Sequence, residues 1–276
     1  MELHEFTIKL QDRKQKTISL VPLGDTHIGT RSCEMNKLKA HLKWIENTPN
    51  VYVIGVGDYI DAVNISDPRF SPSMLPEVDD LRSYLCSITH RQCDEFIDLM
   101  RPIAKQDKII GLGIGNHELT LSKKYHDDVM VRICGQLCTK YLGWASLTRL
   151  RFEYAKGQSR SITVFMEHSL KVGRKKGAKL NYIEDKSNDF DAEIFIMGHS
   201  HDKIATTKTQ LYIPKTGDLK LKTKKRVYAV CPSFYNTYEE GCMTYAEISG
   251  YSPTSTGVVR IDIQLKDDEI DYHLFQ

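Results

Sequence analysis

Five apolar runs in this 276-residue chain each stop at a small cluster of Asp, Asn or His. Lys16–Gly24 leads into Asp25-Thr26-His27, Val51–Val56 into Gly57-Asp58, and Lys108–Ile114 into Gly115-Asn116-His117-Glu118. Ser161–Met166 leads into Glu167-His168, and Glu193–Met197 into Gly198-His199-Ser200-His201. Short, continuous runs rich in Ile and Val suit strands buried on both faces. In open α/β sheets, ligand sites gather outside the carboxyl ends of the strands. The five clusters are therefore expected to meet in space, although some 30 to 60 residues separate consecutive ones.

Between the runs the pattern is helical. Met35, Leu38, Leu42 and Ile45 predict a helix from the mid-30s to the mid-40s, stopped by Asn47-Thr48-Pro49-Asn50. Leu81, Leu85, Ile88, Phe96 and Met100 predict a long helix over roughly 79–101, and another is expected near 126–142. Residues 64–80, with Pro68, Pro72 and Pro76, read as a surface loop. Glu5–Leu10 and Lys16–Gly24 flank a polar stretch and predict a hairpin-like pair of strands. After His201 the pattern is all strand, at Gln210–Ile213, Arg226–Val230 and Gly257–Leu265. No linker, repeat or low-complexity segment divides the chain, so one domain over residues 1–276 is expected.

Composition narrows the setting. A formal net charge of +2 gives no bulk pull toward nucleic acid. No run approaches the ~18 apolar residues of a membrane span, so no membrane partner is expected. The start of the chain shows no secretory pattern. Seven cysteines, an odd and scattered set, suggest reduced thiols and a cytoplasmic location. Cys134 and Cys138 lie one helical turn apart, but without a second pair at zinc spacing they read as helix packing.

The strand-end clusters supply two carboxylates (Asp25, Asp58), one amide (Asn116) and four imidazoles (His27, His168, His199, His201). Mixed nitrogen and oxygen donors suit Zn, Mn, Fe or Ni, whereas Ca or Mg would be met by oxygens alone. Asp-x-His and His-x-His put alternate side chains of an extended strand end on one side. Seven donors for two four-coordinate ions require one shared ligand, and a carboxylate can bridge.

Gly24-Asp25-x-His27, Gly57-Asp58-x-x-Asp61, Gly115-Asn116-His117-Glu118, His168 and Gly198-His199-x-His201 resemble the five ordered motifs of the calcineurin-like metallophosphoesterases, over residues 24–201. The resemblance implies a four-layer α/β/β/α sandwich of two mixed sheets. It implies two divalent metal ions, one held by Asp25, His27 and His201 and the other by Asn116, His168 and His199, with Asp58 bridging. His117 matches the family's catalytic histidine, and Asp61 the acidic residue that orients it. The implied activity is phosphoester hydrolysis.

Gly57-Asp58-Tyr59-Ile60-Asp61 is similar to the matching stretch of the serine/threonine protein phosphatases, but Ala62 stands where those enzymes carry a phosphate-binding Arg. Asp25-Thr26-His27-Ile28-Gly29 is similar to the repair nucleases and small phosphodiesterases of the superfamily. The expected substrate is therefore a phosphodiester, in nucleic acid or a nucleotide. A phosphomonoesterase acting on small molecules or phosphoproteins is the enzymatic alternative, and an idle metal-stabilised binding module the non-enzymatic one. Beyond His168, a Gly-flanked basic run over 171–179 offers Arg174, Lys175 and Lys176 as phosphate contacts, against the plainer reading of a solvated loop. A second run, Lys220–Arg226, reads as a hairpin tip, and Arg69 reads as a surface residue.

Overall fold

The computed structural model describes residues 1–10, 17–62, 74–75, 81–154, 157–170, 172–217, 219–266 and 269–276; for residues 81–84, 86 and 125 it describes the backbone alone. Nearly all of the expected 64–80 loop, with Arg69, and Lys171 lie outside the described residues.

The strands form two six-stranded mixed sheets. One has the order β1(Glu2–Lys9), β6(Ala145–Glu153), β7(Ser159–Glu167), β8(Ile194–Met197), β10(Lys222–Val230), β9(Ile204–Tyr212). The other has the order β12(Ile270–Phe275), β11(Arg260–Leu265), β2(Thr17–Leu23), β3(Val51–Gly55), β4(Ile109–Gly113), β5(Tyr141–Gly143). Period-2 alternation explains how they stack. Leu20, Ile54, Ile110, Val164, Met166, Ile194, Ile196 and Ile261 fill the space between the sheets. Their neighbours Val21, Leu23, Val53 and Leu112 face outward onto α1(Met35–Asn47), α2(Leu81–Ala104) and α4(Val129–Gln136). On the other sheet Phe165, Phe195, Met197 and Tyr228 face α5(Lys176–Asp189) through Ile183. The result is the expected α/β/β/α sandwich. Lys108 fastens one layer, its buried ammonium donating to the carbonyls of Ile45, Glu46 and Thr48 at the end of α1.

Several local expectations need correction. β1 and β2 are not a hairpin. β1 runs parallel to β6 in one sheet, while β2 pairs with β3 and β11 in the other. β2 buries both faces and takes a central place, whereas β1 is exposed at alternate positions and suits an edge. The helix expected near 126–142 is instead α3(Asn116–Tyr125), α4 and β5. His126 takes a left-handed conformation (φ +55°) that ends α3, and the Asp128 carboxylate then caps α4 by accepting from the Met130 amide. The basic run Lys220–Arg226 is no hairpin tip, since Lys222–Arg226 pair with β9. Their charges are met along the sheet by Asp191, Glu193 and Asp271. β9 begins earlier than expected, and β12 adds a strand beside β11. Among the described residues, none of the six cysteines forms a disulfide, and no helix is long and apolar enough to cross a membrane.

Candidate dinuclear metal centre

The five clusters do converge, but from two sheets. β2, β3 and β4 deliver Asp25, His27, Asp58, Asn116 and His117 from one, and β7 and β8 deliver His168, His199 and His201 from the other. Chains turning out of so tight a junction must bend sharply. Asp25 (φ +48°), His27 (+48°), Asp58 (+54°), His199 (+72°) and His201 (+55°) all occupy the left-handed region. Such a conformation costs a non-glycine residue of order 1–3 kcal/mol and persists only where its surroundings impose it. Glycine supplies the tightest approach. A Cβ on Gly57 (φ +95°) would fall 2.3 Å from the Gly115 amide nitrogen, and one on Gly115 only 2.1 Å from Asp58 Oδ1.

Donor atoms gather in two sets that share no residue, Asp25 with His27 and His201, and Asp58 with His168 and His199, and a third set, His27 with Asp58 and His117, overlaps both; within each set all ligand atoms lie inside 4.8 Å. In the first, His201 Nε2 is 3.2 Å from His27 Nε2 and 3.2 Å from Asp25 Oδ1. In the second, His168 Nε2 is 3.0 Å from Asn116 Oδ1 and 3.3 Å from Asp58 Oδ2. The proton bookkeeping is informative. His168 Nδ1 lies 2.7 Å from the Val56 carbonyl, which can only accept, so Nδ1 carries the hydrogen and Nε2 of the neutral ring is a lone pair. That lone pair faces two acceptor oxygens. Asp58 Oδ2 is itself buried with no donor among the described residues. Lone pairs turned on one another in a water-poor site call for a cation, and a mixed N/O set fits Zn, Mn, Fe or Ni.

Without a metal ion the field draws protons into the same place. Burial works against charge at His168, yet Asp58 and Asp25 outweigh it and push the imidazole up to about 9. Burial also opposes charge at His27, where Asp61, Asp58 and Asp25 prevail and raise it. Asp58 stays far below the usual carboxylate range despite burial, because His168, His117 and His27 surround it. Burial and the neighbouring His168 charge depress His199 to about 4, which leaves its ring neutral and free to ligate.

His117 belongs to neither of the first two sets but, with His27 and Asp58, to the third. Its backbone amide donates to Asp58 Oδ1 at 2.9 Å, and its Nδ1 donates to the Asp61 carbonyl. Nε2 is therefore the atom presented to the centre, 4.0 Å from Asp58 Oδ2. The Asp61 carboxylate faces the other way, 3.7 Å from His27 Nδ1. Asp61 thus reaches His117 through its backbone and a candidate ligand through its side chain.

Two supporting residues escaped sequence reasoning. Glu118, fully buried, accepts four backbone N–H groups: Asp58 (3.0 Å) and Gly115 (3.0 Å) on Oε2, Tyr59 (2.6 Å) and Ile60 (3.2 Å) on Oε1. Burial and Asp58 push its carboxyl up to about 7 against those bonds. Lys179, from the basic run, turns inward and donates to the Ser200 carbonyl (2.9 Å) and Asp202 Oδ2 (2.5 Å), bracing the turn that carries His199 and His201. The run is accordingly less of a loop than expected: α5 starts at Lys176, and Arg174, Lys175 and Lys176 stay exposed. At the second motif, Ala62 is buried with φ +53°, so that position offers no phosphate contact.

No protein-family model and no curated protein matches the chain. Among solved structures, Vps29 from Entamoeba histolytica complexed with zinc matches at 11% identity, with 94% of this chain and 98% of that one covered and a TM-score of 0.37. Vacuolar protein sorting 29 from Cryptosporidium parvum matches at 10% identity over 95% and 98%, TM-score 0.38. A conserved uncharacterized protein from Streptococcus pneumoniae TIGR4, described as a predicted phosphoesterase, matches at 10% over 94% and 90%, TM-score 0.35. At these TM-scores the matches carry no weight for the chemistry, which rests on this chain's own residues. In its two-sheet fold and its ordered strand-end motifs, the chain resembles the calcineurin-like metallophosphoesterases.

Proposed function

We propose that the protein is a metal-dependent phosphoester hydrolase that cleaves a phosphodiester in nucleic acid or a nucleotide. The observation that carries this reading is His117. The sets Asp25, His27, His201 and Asp58, His168, His199 are complete without it, and its Nε2 is aimed at the donor cage while its Nδ1 is tied to the Asp61 carbonyl. Asp25, His27 and His201 would hold one divalent ion, Asn116, His168 and His199 the other, and Asp58 would serve both. When bound, such a pair supplies Lewis-acid stabilisation of phosphoryl oxygens and acidifies water for attack. In its imidazolium form His117 would present an N–H at Nε2 that can be given to a leaving oxygen, and the Asp61 carbonyl fixes the ring for that transfer. A pure binding module has no use for an acid positioned in this way.

The rim supports this substrate class. Tyr235 lies 5.4 Å from the His27 ring and 6.2 Å from the His201 ring, and the segment beyond it exposes Tyr238, Tyr245 and Tyr251. The Arg174 guanidinium stacks 5.0 Å over Tyr251, joining this aromatic rim to Lys175 and Lys176. Aromatic faces with adjacent cations suit bases and their phosphates. Exposed Glu240 and Glu247 share the segment, so phosphate contact falls to the Arg174 side.

Hydrolysis of bis-p-nitrophenyl phosphate against p-nitrophenyl phosphate, with Mn, Zn, Ni and Mg in turn, tests the proposal. Preferential diester turnover is expected. Preference for the monoester would move the protein to the phosphatases, and no turnover with any metal would leave a binding module.

A further inference from the structure

A second group of cations lies outside the donor cage. Lys37 and His41 are one turn apart on α1, so both side chains occupy one face of the helix. Lys203 comes from another segment, two residues beyond His201 and just before β9. Gly257 (φ +128°) sits between them. A Cβ built on Gly257 would lie 3.5 Å from His41 Nε2, 3.6 Å from Lys203 Nζ and 3.9 Å from Lys37 Cε, so three basic side chains meet beside this glycine. Only Lys37 has company. It donates to Thr256 Oγ1 at 2.6 Å and lies 3.3 Å from Glu34 Oε2. Among the described residues, neither Lys203 nor His41 has a hydrogen bond or an ion pair; His41 has only the Phe234 ring at 5.8 Å.

Glu34 balances Lys37 alone, so the Lys203 ammonium, with no acid of its own, lies beside a second ammonium, an arrangement that an anion among them relieves. The group also borders the candidate centre. The Gly257 amide donates to the Ser233 carbonyl at 3.1 Å, and Ser233 Oγ donates to the Asp25 carbonyl at 2.8 Å. The neighbouring Phe234 amide donates to that same Asp25 carbonyl at 3.0 Å.

We propose that Lys37, His41 and Lys203 form an anion site, separate from the metal ligands, that takes a phosphate group. The Lys203 ammonium and an imidazole N–H of His41, with the Lys37 ammonium beside them, can donate to the oxygens of a phosphate dianion, and charge-assisted bonds of this kind are the strong ones. The phosphate comes either from a substrate, next to the one being cleaved, or from free solution. The site stands independently of the hydrolase reading, because its test reads binding and needs no turnover.

The test is a titration of the zinc-loaded protein with inorganic phosphate, at ionic strength held constant with sodium chloride. The imidazole resonances of His41 report it, assigned through His41→Gln. A saturable shift is expected, with affinity at this ring falling roughly tenfold or more in Lys203→Gln. Zinc stoichiometry and the remaining histidine resonances of Lys203→Gln should match the parent protein, which separates this effect from damage to His201. A shift reproduced by sodium chloride alone, no shift at all, or unchanged phosphate affinity in Lys203→Gln would each overturn the site. If it stands, the two sources are told apart by the ratio of KM for a 5′-phosphorylated dinucleotide to KM for bis-p-nitrophenyl phosphate. A ratio raised by Lys203→Gln assigns the site to a substrate phosphate, and an unchanged ratio assigns it to free phosphate.

Discussion

Replacing Lys179 by Met should damage the candidate centre from behind. The side chain is 9% exposed, and its ammonium is divided between the Ser200 carbonyl and an Asp202 carboxylate that is 8% exposed. Methionine keeps the length of the side chain and removes both bonds. Stripping one partner from a buried ion pair costs about 3–5 kcal/mol, most of it from the charge left behind. Borne wholly by the fold, that loss would lower Tm by about 6–20 °C, at about 2–4 °C per kcal/mol. The structure argues for a division. His199 (φ +72°) and His201 (φ +55°) flank the braced Ser200, so without Lys179 the turn can relax until a metal pulls it back. If half of the loss reappears on metal binding, zinc affinity falls about 10- to 100-fold, since 1.4 kcal/mol is a factor of ten. Zinc titration against a chromophoric competitor, beside calorimetry of chelated and loaded protein, separates the two shares. Lys179→Met with Asp202→Leu removes the stranded charge and should recover most of the Tm without restoring affinity. Unchanged zinc affinity in Lys179→Met, with only a lowered Tm, would refute the brace and leave Lys179 a residue of the fold alone.

Two further outcomes follow from the geometry. Asp58→Asn should lose activity and carry at most one tightly bound ion by metal analysis; two tight ions with parental turnover would exclude a bridging role. His117→Ala should keep its metals and fold while kcat falls by about 10²–10⁴, more for an alkoxide leaving group than for p-nitrophenolate, because only the former needs a proton. Asp61→Asn keeps the backbone carbonyl that holds His117 and changes the carboxylate facing His27, so it should weaken metal binding without altering the leaving-group dependence.

What could be read from the chain is what has a local signature. Strands covered on both faces read as unbroken apolar runs, and Asp, Asn and His have no packing reason to end five of them; the side chains that converge at the strand ends were therefore visible in advance. Tertiary choices were not. A polar stretch between two strands looks the same whether it turns a hairpin or, as between β1 and β2, crosses from one sheet to the other. His126 ends a helix through one left-handed residue that the apolar spacing does not register. Lys222–Arg226 read as a tip because the outer half of β10 is exposed and only its last four residues are buried. Lys179 did leave a trace. It stands four residues before Ile183, on the stripe of α5 that faces Phe165 and Phe195. A lysine on an apolar stripe needs a buried partner, and here Asp202 provides one.

The strain and the cage are two sides of one arrangement. Five candidate ligands occupy left-handed backbone, and their donor atoms crowd within 4.8 Å of one another in a buried site, where only protons on His168 and His27 offset the carboxylates of the bare chain, so both features are costly to it. Neither would survive unless other groups imposed it. Glu118 pins Asp58 by the backbone, the Asp25 carboxylate accepts from the His199 amide, and Ser233 and Phe234 hold the Asp25 carbonyl. Lys179 holds Ser200. These fastenings come from α3, α5 and the segment after β10, so all the layers of the sandwich take part in keeping repelling groups together. A cation entering such a site meets ligands already in place and relieves their repulsion, which links its binding to the stability of the whole fold. The same rigidity keeps His117 Nε2 at the edge of the cage, its aim fixed by the bond from Nδ1 to the Asp61 carbonyl.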